Sequence, residues 1–305
     1  MPHFDAAAIA ARLPWPRLIA ALADGLRLPI TSPARHYHYP EGSRDLLLIM
    51  PAWSARWMGI KSAAMFPDNP ASGASGIASC YVLMDRATGH VAATFDGTEL
   101  TNRRTAAASA LATDALARTD SRTLLVMGTG PLAHHAAGTH AAVRDYTRIL
   151  VWGRTPAKAQ ALAAALAAEG LPAAAMDDAE GAARQADVIT CVTSARKPVL
   201  HGAWLRPGTH VDLIGAHEPD AREVDSDLMA MAQVWADVRA NVLREAGDVI
   251  IPIAEGRITA AAIGGDLADL AARPGGSARG DAGVTVFKSV GFAAQDLIAA
   301  LAVLG

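Results

Sequence analysis

The sequence predicts an α/β protein whose second part is a doubly wound parallel sheet. Three observations carry this. From Thr123 onward, short apolar runs alternate with helix-forming stretches, the rhythm of successive βαβ units. The first run, Thr123–Met127, breaks into Gly128-Thr129-Gly130-Pro131-Leu132-Ala133, the tight turn and helix start of a dinucleotide-binding unit. Before Thr123 that rhythm is absent.

Composition bounds the rest. A chain of 305 residues makes one large or two modest domains, and 51% hydrophobic residues allow a core without disulfides. A net charge of -3 with no basic run argues against nucleic acid as a main partner. Cys80 and Cys191 match no metal spacing, so no metal is expected. No basic segment followed by an apolar run opens the chain, and no run of about 18 apolar residues occurs. A cytoplasmic protein with free thiols is expected.

In order along the chain, residues 3–24 read as an amphipathic helix or a helix pair, interrupted at Pro14 and Pro16. Strands are expected at 45–50 and 59–66, then a turn-rich loop over 67–76. A hairpin joins 78–84 to 90–95 through Gly89. Thr101 is the expected cap of a helix over 102–118. Then come strand 123–127, helix 131–143, strand 148–152, helix 156–169, strand 172–176 and a short helix over 177–185. Strands at 187–192, 210–214 and 233–237 follow, and an apolar helix ends the chain.

The glycine turn is built for a pyrophosphate. Gly128 permits the turn, and Gly130 puts no side chain in the way of a phosphate. Ala133 lets helix and strand pack, and the helix N-terminus offers N–H groups. An acid about 20 residues further on holds the ribose hydroxyls in NAD-binding units. Here that strand ends in Gly153-Arg154-Thr155, with Lys158 a turn on. A guanidinium grips a 2′-phosphate that an acid would repel, so NADPH is expected, with NADH held more weakly. Thr193 and Ser194 fall at the carboxyl edge of the sheet, where ligands bind; Thr193 reads equally well as a turn residue. His134, His135 and His140 match no zinc spacing and read as surface or phosphate-side residues.

Motifs along the whole chain resemble the ornithine cyclodeaminase/mu-crystallin family. They include Met50-Pro51-Ala52, Gly59-Ile60-Lys61, Phe66-Pro67-x-Asn69, Asp96-Gly97-Thr98 and Thr101-x-x-Arg104-Thr105-Ala106-Ala107. Glu223-Val224-Asp225, Glu245-Ala246-Gly247-Asp248 and Phe287-Lys288-Ser289-x-Gly291 with Asp296 follow in order. The resemblance implies a homodimer and a Rossmann sheet over 118–289. It implies that this sheet is inserted into a mixed α+β substrate-binding and dimerisation domain, residues 1–117 plus 290–305. It implies a small carboxylate substrate clamped by Arg35, Lys61 and Arg104. Arg44 competes for the role of Arg35, and Arg103 for that of Arg104. Thr105, Gly128, Thr129, Gly130, Pro131, Leu132, Arg154, Thr155, Lys158, Thr193 and Ser194 are the expected cofactor contacts.

The family's cyclodeaminase pattern has an acid two residues before the Met-Pro pair; here it is Leu48. It has another after the fifth strand; here it is His217. Without acids to hold a second ammonium, the pocket suits a cyclic imine carboxylate. The expected activity is therefore NADPH-dependent reduction of Δ1-pyrroline-2-carboxylate or Δ1-piperideine-2-carboxylate to L-proline or L-pipecolate. Lys61, or a water it holds, or His217 would supply the proton. Ornithine cyclodeaminase chemistry with bound NAD, a mu-crystallin-like NADPH-binding role and an open-chain amino-acid dehydrogenase are the alternatives.

Overall fold

The computed structural model describes residues 1–69, 76–275, 277–280 and 283–305. They form two compact units: Met1–Arg104 with Phe292–Gly305, and Thr105–Gly291. The passage between them falls inside a helix, earlier than the expected 117. Most of the loop expected at 67–76 lies outside the described residues.

The first unit contains β1 (His3–Phe4), α1 (Ala6–Arg12), α2 (Trp15–Gly25), β2 (His36–His38), β3 (Leu46–Trp53), β4 (Trp57–Met65), β5 (Ile77–Asp85), β6 (Val91–Asp96), the start of α3 (Gly97–Leu116) and the closing α11 (Ala293–Leu304). Its sheet has the order β1-β6-β5-β4-β3-β2, antiparallel except for β1 beside β6. Side chains alternate along each strand. Leu48, Met50 and Ala52 on β3, Gly59, Lys61 and Ala63 on β4, and Tyr81 and Leu83 on β5 are buried. α11 packs over β3, β4 and β5 and against α2.

Two short strands, β1 and β2, escaped the sequence pattern, being too brief to show a period. The start of α3 is also corrected. Asp96 caps the helix, its carboxylate accepting from Glu99 N at 2.8 Å, while the Thr101 hydroxyl is buried inside the helix with no hydrogen-bond partner among the described residues. Asp and Thr are both good caps; the turn at Asp96-Gly97 presents the first to the open N–H groups.

The second unit contains β7 (Thr123–Met127), α4 (Pro131–Ala141), β8 (Arg148–Trp152), α5 (Pro156–Ala168), β9 (Ala173–Met176), α6 (Ala179–Ala183), β10 (Val188–Cys191), β11 (His210–Leu213), α7 (Ser226–Met231), β12 (Ala232–Ala236), α8 (Arg239–Glu245), α9 (Gly247–Ala254), α10 (Leu267–Ala271) and β13 (Val284–Lys288). All neighbours in its sheet, β12-β13-β11-β10-β7-β8-β9, run parallel. The strand order reverses between β7 and β10, the switch point where such sheets bind ligands. The class is the expected one: α/β, with a Rossmann-like parallel sheet and a separate mixed sheet. β13 was not expected as a strand. No single helix among the described residues is long and apolar enough to cross a membrane.

Candidate active site

β4 carries Lys61 on its buried face. Its register partners are Met50 on β3 and Tyr81 on β5, so all three share that face. Leu48 lies on it too, two residues before Met50, and is 5% exposed. Gly59 leaves room for Tyr81: a Cβ there would stand 1.9 Å from the phenol oxygen.

An ammonium buried at 4% exposure needs a counter-charge. Asp296 on α11 supplies it, with Oδ2 at 3.0 Å from Lys61 Nζ. Asp296 Oδ1 also accepts from Arg104 Nε at 2.8 Å, and Arg104 Nη1 donates to Gln295 Oε1 at 2.6 Å. Arg104 Nη2 has no bond to any described residue. Arg35 is half-buried and near enough for its charge to act on Lys61. Burial pulls the Lys61 ammonium down to about 8; Asp296 holds it up, while Arg104 and Arg35 push it lower. Burial alone would raise the Asp296 carboxyl, but Arg104 and Lys61 outweigh it and keep it below the usual range.

The competing arginines are engaged elsewhere. Arg103 pairs with Glu99 at 2.9 Å and stacks over Trp15, 4.0 Å from the ring centre. Its guanidinium donates to the carbonyls of Ala10, in the last turn of α1, and Leu13, the residue that follows it. Arg44 is exposed and pairs with Asp68.

In the second unit, Gly128 ends β7 at φ +136, and a Cβ there would stand 2.7 Å from Val192 O. Gly130 precedes α4 with open space where its Cβ would be, and no side chain caps that helix. Open backbone at an uncapped N-terminus fits a pyrophosphate. Beside it, a depression of about 340 Å³ is lined by Thr129, Gly130, Pro131, His134, Lys158, Ala161 and Leu162. Leu132 is half-buried on α4 and Thr105 half-buried on α3. Arg154 and Lys158 are exposed after β8, and Thr155 stands at the N-cap of α5 without a capping bond. These residues suit a dinucleotide.

Thr193 is committed within the protein: its N–H and Oγ1 both donate to Glu223 Oε1, each at 2.7 Å. Ser194 is exposed. His217 is exposed, with Nδ1 3.2 Å from Gly215 O. His140 is not a surface residue. It is fully buried, its Nε2 lying 2.8 Å from Asp212 on β11, because α4 turns that face to the sheet. His134 pairs with Glu169 at 2.7 Å.

The remaining acidic motifs form buried framework. Glu223 Oε2 accepts from Gly215 N, Asp248 accepts from the N–H groups of Glu223 and Val224, and Lys288 donates to Asp248 at 2.8 Å. Asp237 takes the hydroxyl of Ser289 and the N–H groups of Val290 and Gly291. Asp225 caps α7 through Leu228 N. Asp296 is the site residue that sequence reasoning left without a role; its signal was the polar pair Gln295-Asp296 in an otherwise apolar helix.

Residues 18–304 match the Ornithine cyclodeaminase/mu-crystallin family. The chain belongs to that family. Within it, the Delta(1)-pyrroline-2-carboxylate reductase of Paracoccus denitrificans is 38% identical over 95% of this chain and 92% of its own length. The ketimine reductase mu-crystallin of Mus musculus is 31% identical over 93% of this chain and 89% of its own. A solved structure of the Thermococcus litoralis Delta(1)-pyrroline-2-carboxylate reductase, in complex with NADH and L-proline, aligns with a TM-score of 0.93 at 29% identity, covering 99% of this chain and 96% of that one. These family members are oxidoreductases acting on C=N bonds, and the present chain is an oxidoreductase of that class.

Proposed function

We propose that this family member is an NADPH-dependent ketimine reductase. Its substrate is Δ1-pyrroline-2-carboxylate or Δ1-piperideine-2-carboxylate, and its product L-proline or L-pipecolate. It works as a homodimer in the cytoplasm, and NADH serves with lower affinity. The observation that carries this is the buried cation cluster of Lys61 and Arg104 around Asp296, with Leu48 on the same face where a diamino-acid site would need an acid.

The residues divide the work. Arg104, through its unengaged Nη2, and Arg35 bind the substrate carboxylate and orient the ring. Gly128, Thr129, Gly130, Pro131 and Leu132 cradle the dinucleotide phosphates. Arg154, Thr155 and Lys158 hold the 2′-phosphate, with Thr105 and Ser194 lining the same cofactor. Thr193 acts indirectly, its loop pinned by Glu223. When bound, the reduced nicotinamide supplies the hydride that C2 accepts.

Lys61 gives one proton to the ring nitrogen, which makes C2 electrophilic. Hydride addition then converts the C=N bond to a single bond, and the neutral Lys61 amine regains its proton from water. Lys61 is preferred to His217 as donor because its ammonium is buried in the carboxylate-binding cluster, whereas His217 is exposed.

The test follows NADPH absorbance with each imine, alongside ornithine plus NAD. Oxidation of NADPH with at least one imine is expected, without ammonia release from ornithine. No oxidation with either imine overturns the reading.

A further inference from the structure

Asp296 sits at the centre of the cation cluster in the first unit. Its carboxylate is 2.8 Å from Arg104 Nε and 3.0 Å from Lys61 Nζ, and it is fully buried. The helix around it buries Ala293, Ala294, Leu297 and Ile298. A carboxylate on such a helix face is costly to desolvate, and apolar residues of similar size would fill the space at no such cost. Resting on Lys61 as the proton donor, we infer that Asp296 is a positioning residue for the reaction: it keeps the Lys61 ammonium protonated and turns the Arg104 fork so that Nη2 is left for the substrate carboxylate.

Four groups face Lys61 or its counter-ion. Asp296 comes from α11, Arg104 from α3, Arg35 from the segment before β2 and Tyr81 from β5. Burial and both guanidiniums favour the neutral amine; Asp296 alone opposes them. Burial, helped by Asp296, pushes the Tyr81 phenol well up, so it stays neutral and takes no part in the charge balance. The resulting balance leaves Lys61 near 8, close enough to neutrality to give a proton and recover it from solvent. Below that pH the donor form is present. As pH rises through it the ammonium is lost, and the rate falls. Without Asp296, nothing opposes burial and the arginines, and the loss begins at lower pH.

The experiment compares the protein with Asp296→Asn and Asp296→Glu by two readouts. One is the pH dependence of kcat/KM for imine reduction. The other is a nitrogen NMR titration of the Lys61 ammonium without substrate, assigned by its disappearance in Lys61→Arg. Both should place the unsubstituted protein near 8. Asp296→Asn should move both toward acid by about 1–3 pH units, the effect of removing one adjacent opposite charge, and Asp296→Glu should reverse most of that. A slower Asp296→Asn enzyme whose rate limb and titration stay in place would overturn the inference, leaving Asp296 a structural residue only. If the unsubstituted protein reduces no imine, the functional reading fails, while the titration still decides Asp296. Should Asp296→Asn not fold, Arg104→Gln decides. Removal of the competing cation should move the Lys61 titration toward higher pH, and an unmoved titration overturns the coupling.

Discussion

Lys61 and Arg154 are both cations with a proposed role at the site, yet they differ in what surrounds them. Lys61 is buried, and its position could be flagged from sequence because lysine in an apolar strand lacks a structural reason to be there. Asp296, which answers it, was legible as a motif residue but not as a partner, since no spacing rule joins positions 61 and 296. Arg154 is exposed, and its role rests on where the strand ends. An exposed arginine contributes little to folding, so its substitution isolates recognition. Arg154→Asp should leave the melting temperature nearly unchanged. With Arg154 holding the 2′-phosphate as proposed, the loss is a charge-assisted contact of about 1.5–3 kcal/mol, so NADPH affinity should fall roughly 10- to 150-fold. NADH affinity should fall far less. Equal losses in parallel fluorescence titrations of the two cofactors would remove Arg154 from phosphate recognition.

At the scale of elements, the turn from β7 to α4 separates two uses of glycine. Gly128 is required by the fold, since its φ is +136 and a Cβ would meet Val192 O at 2.7 Å. Gly130 has an ordinary φ of -85 and open space around it. Gly128→Ala should therefore destabilise the protein by about 2 kcal/mol or more, from backbone strain plus the clash. Gly130→Val should cost about 1 kcal/mol, the loss of a favoured N-cap residue, while weakening cofactor binding at least about tenfold. Urea denaturation and a cofactor titration on each variant check this; a Gly130→Val protein that binds normally would show that the phosphates lie elsewhere. This turn was readable because glycine spacing is local. β13 was missed although Gly283 precedes its β-branched run, because five residues match a strand or a buried helix segment equally, and its place between β11 and β12 is decided by pairing across the sheet. The helices between 226 and 271 were likewise hidden, being 5 to 8 residues long and too short to display a period.

At the scale of the molecule, the mixed sheet leaves an apolar face only partly covered. Opposite the buried face that carries Lys61, β3 presents Leu47 and Ile49, β4 presents Met58 and Ile60, and β5 presents Val82 and Met84. Ile60 and Val82 are register partners at the middle of this patch, and both are half-buried. An antiparallel sheet with one face packed on a core usually turns polar residues to the other side. Here the second face also carries apolar side chains, Leu47 exposed and the others half-buried, and apolar surface left open to solvent can serve as an association site. A second copy of the chain would fit the homodimer proposed above, and central aliphatic residues would carry most of the binding energy. Val82→Asp buries a charge at such an interface and should weaken dimerisation by at least about 2 kcal/mol, roughly 30-fold in Kd. Sedimentation equilibrium should show a dimer for the unsubstituted protein and a concentration-dependent mixture for the variant. Because residues 82 and 81 alternate across the sheet, the substitution leaves Tyr81, Lys61 and Asp296 on their buried face. The monomeric fraction should therefore keep its Lys61 titration. A Val82→Asp protein that sediments as an unchanged dimer would place the subunit contact on another surface.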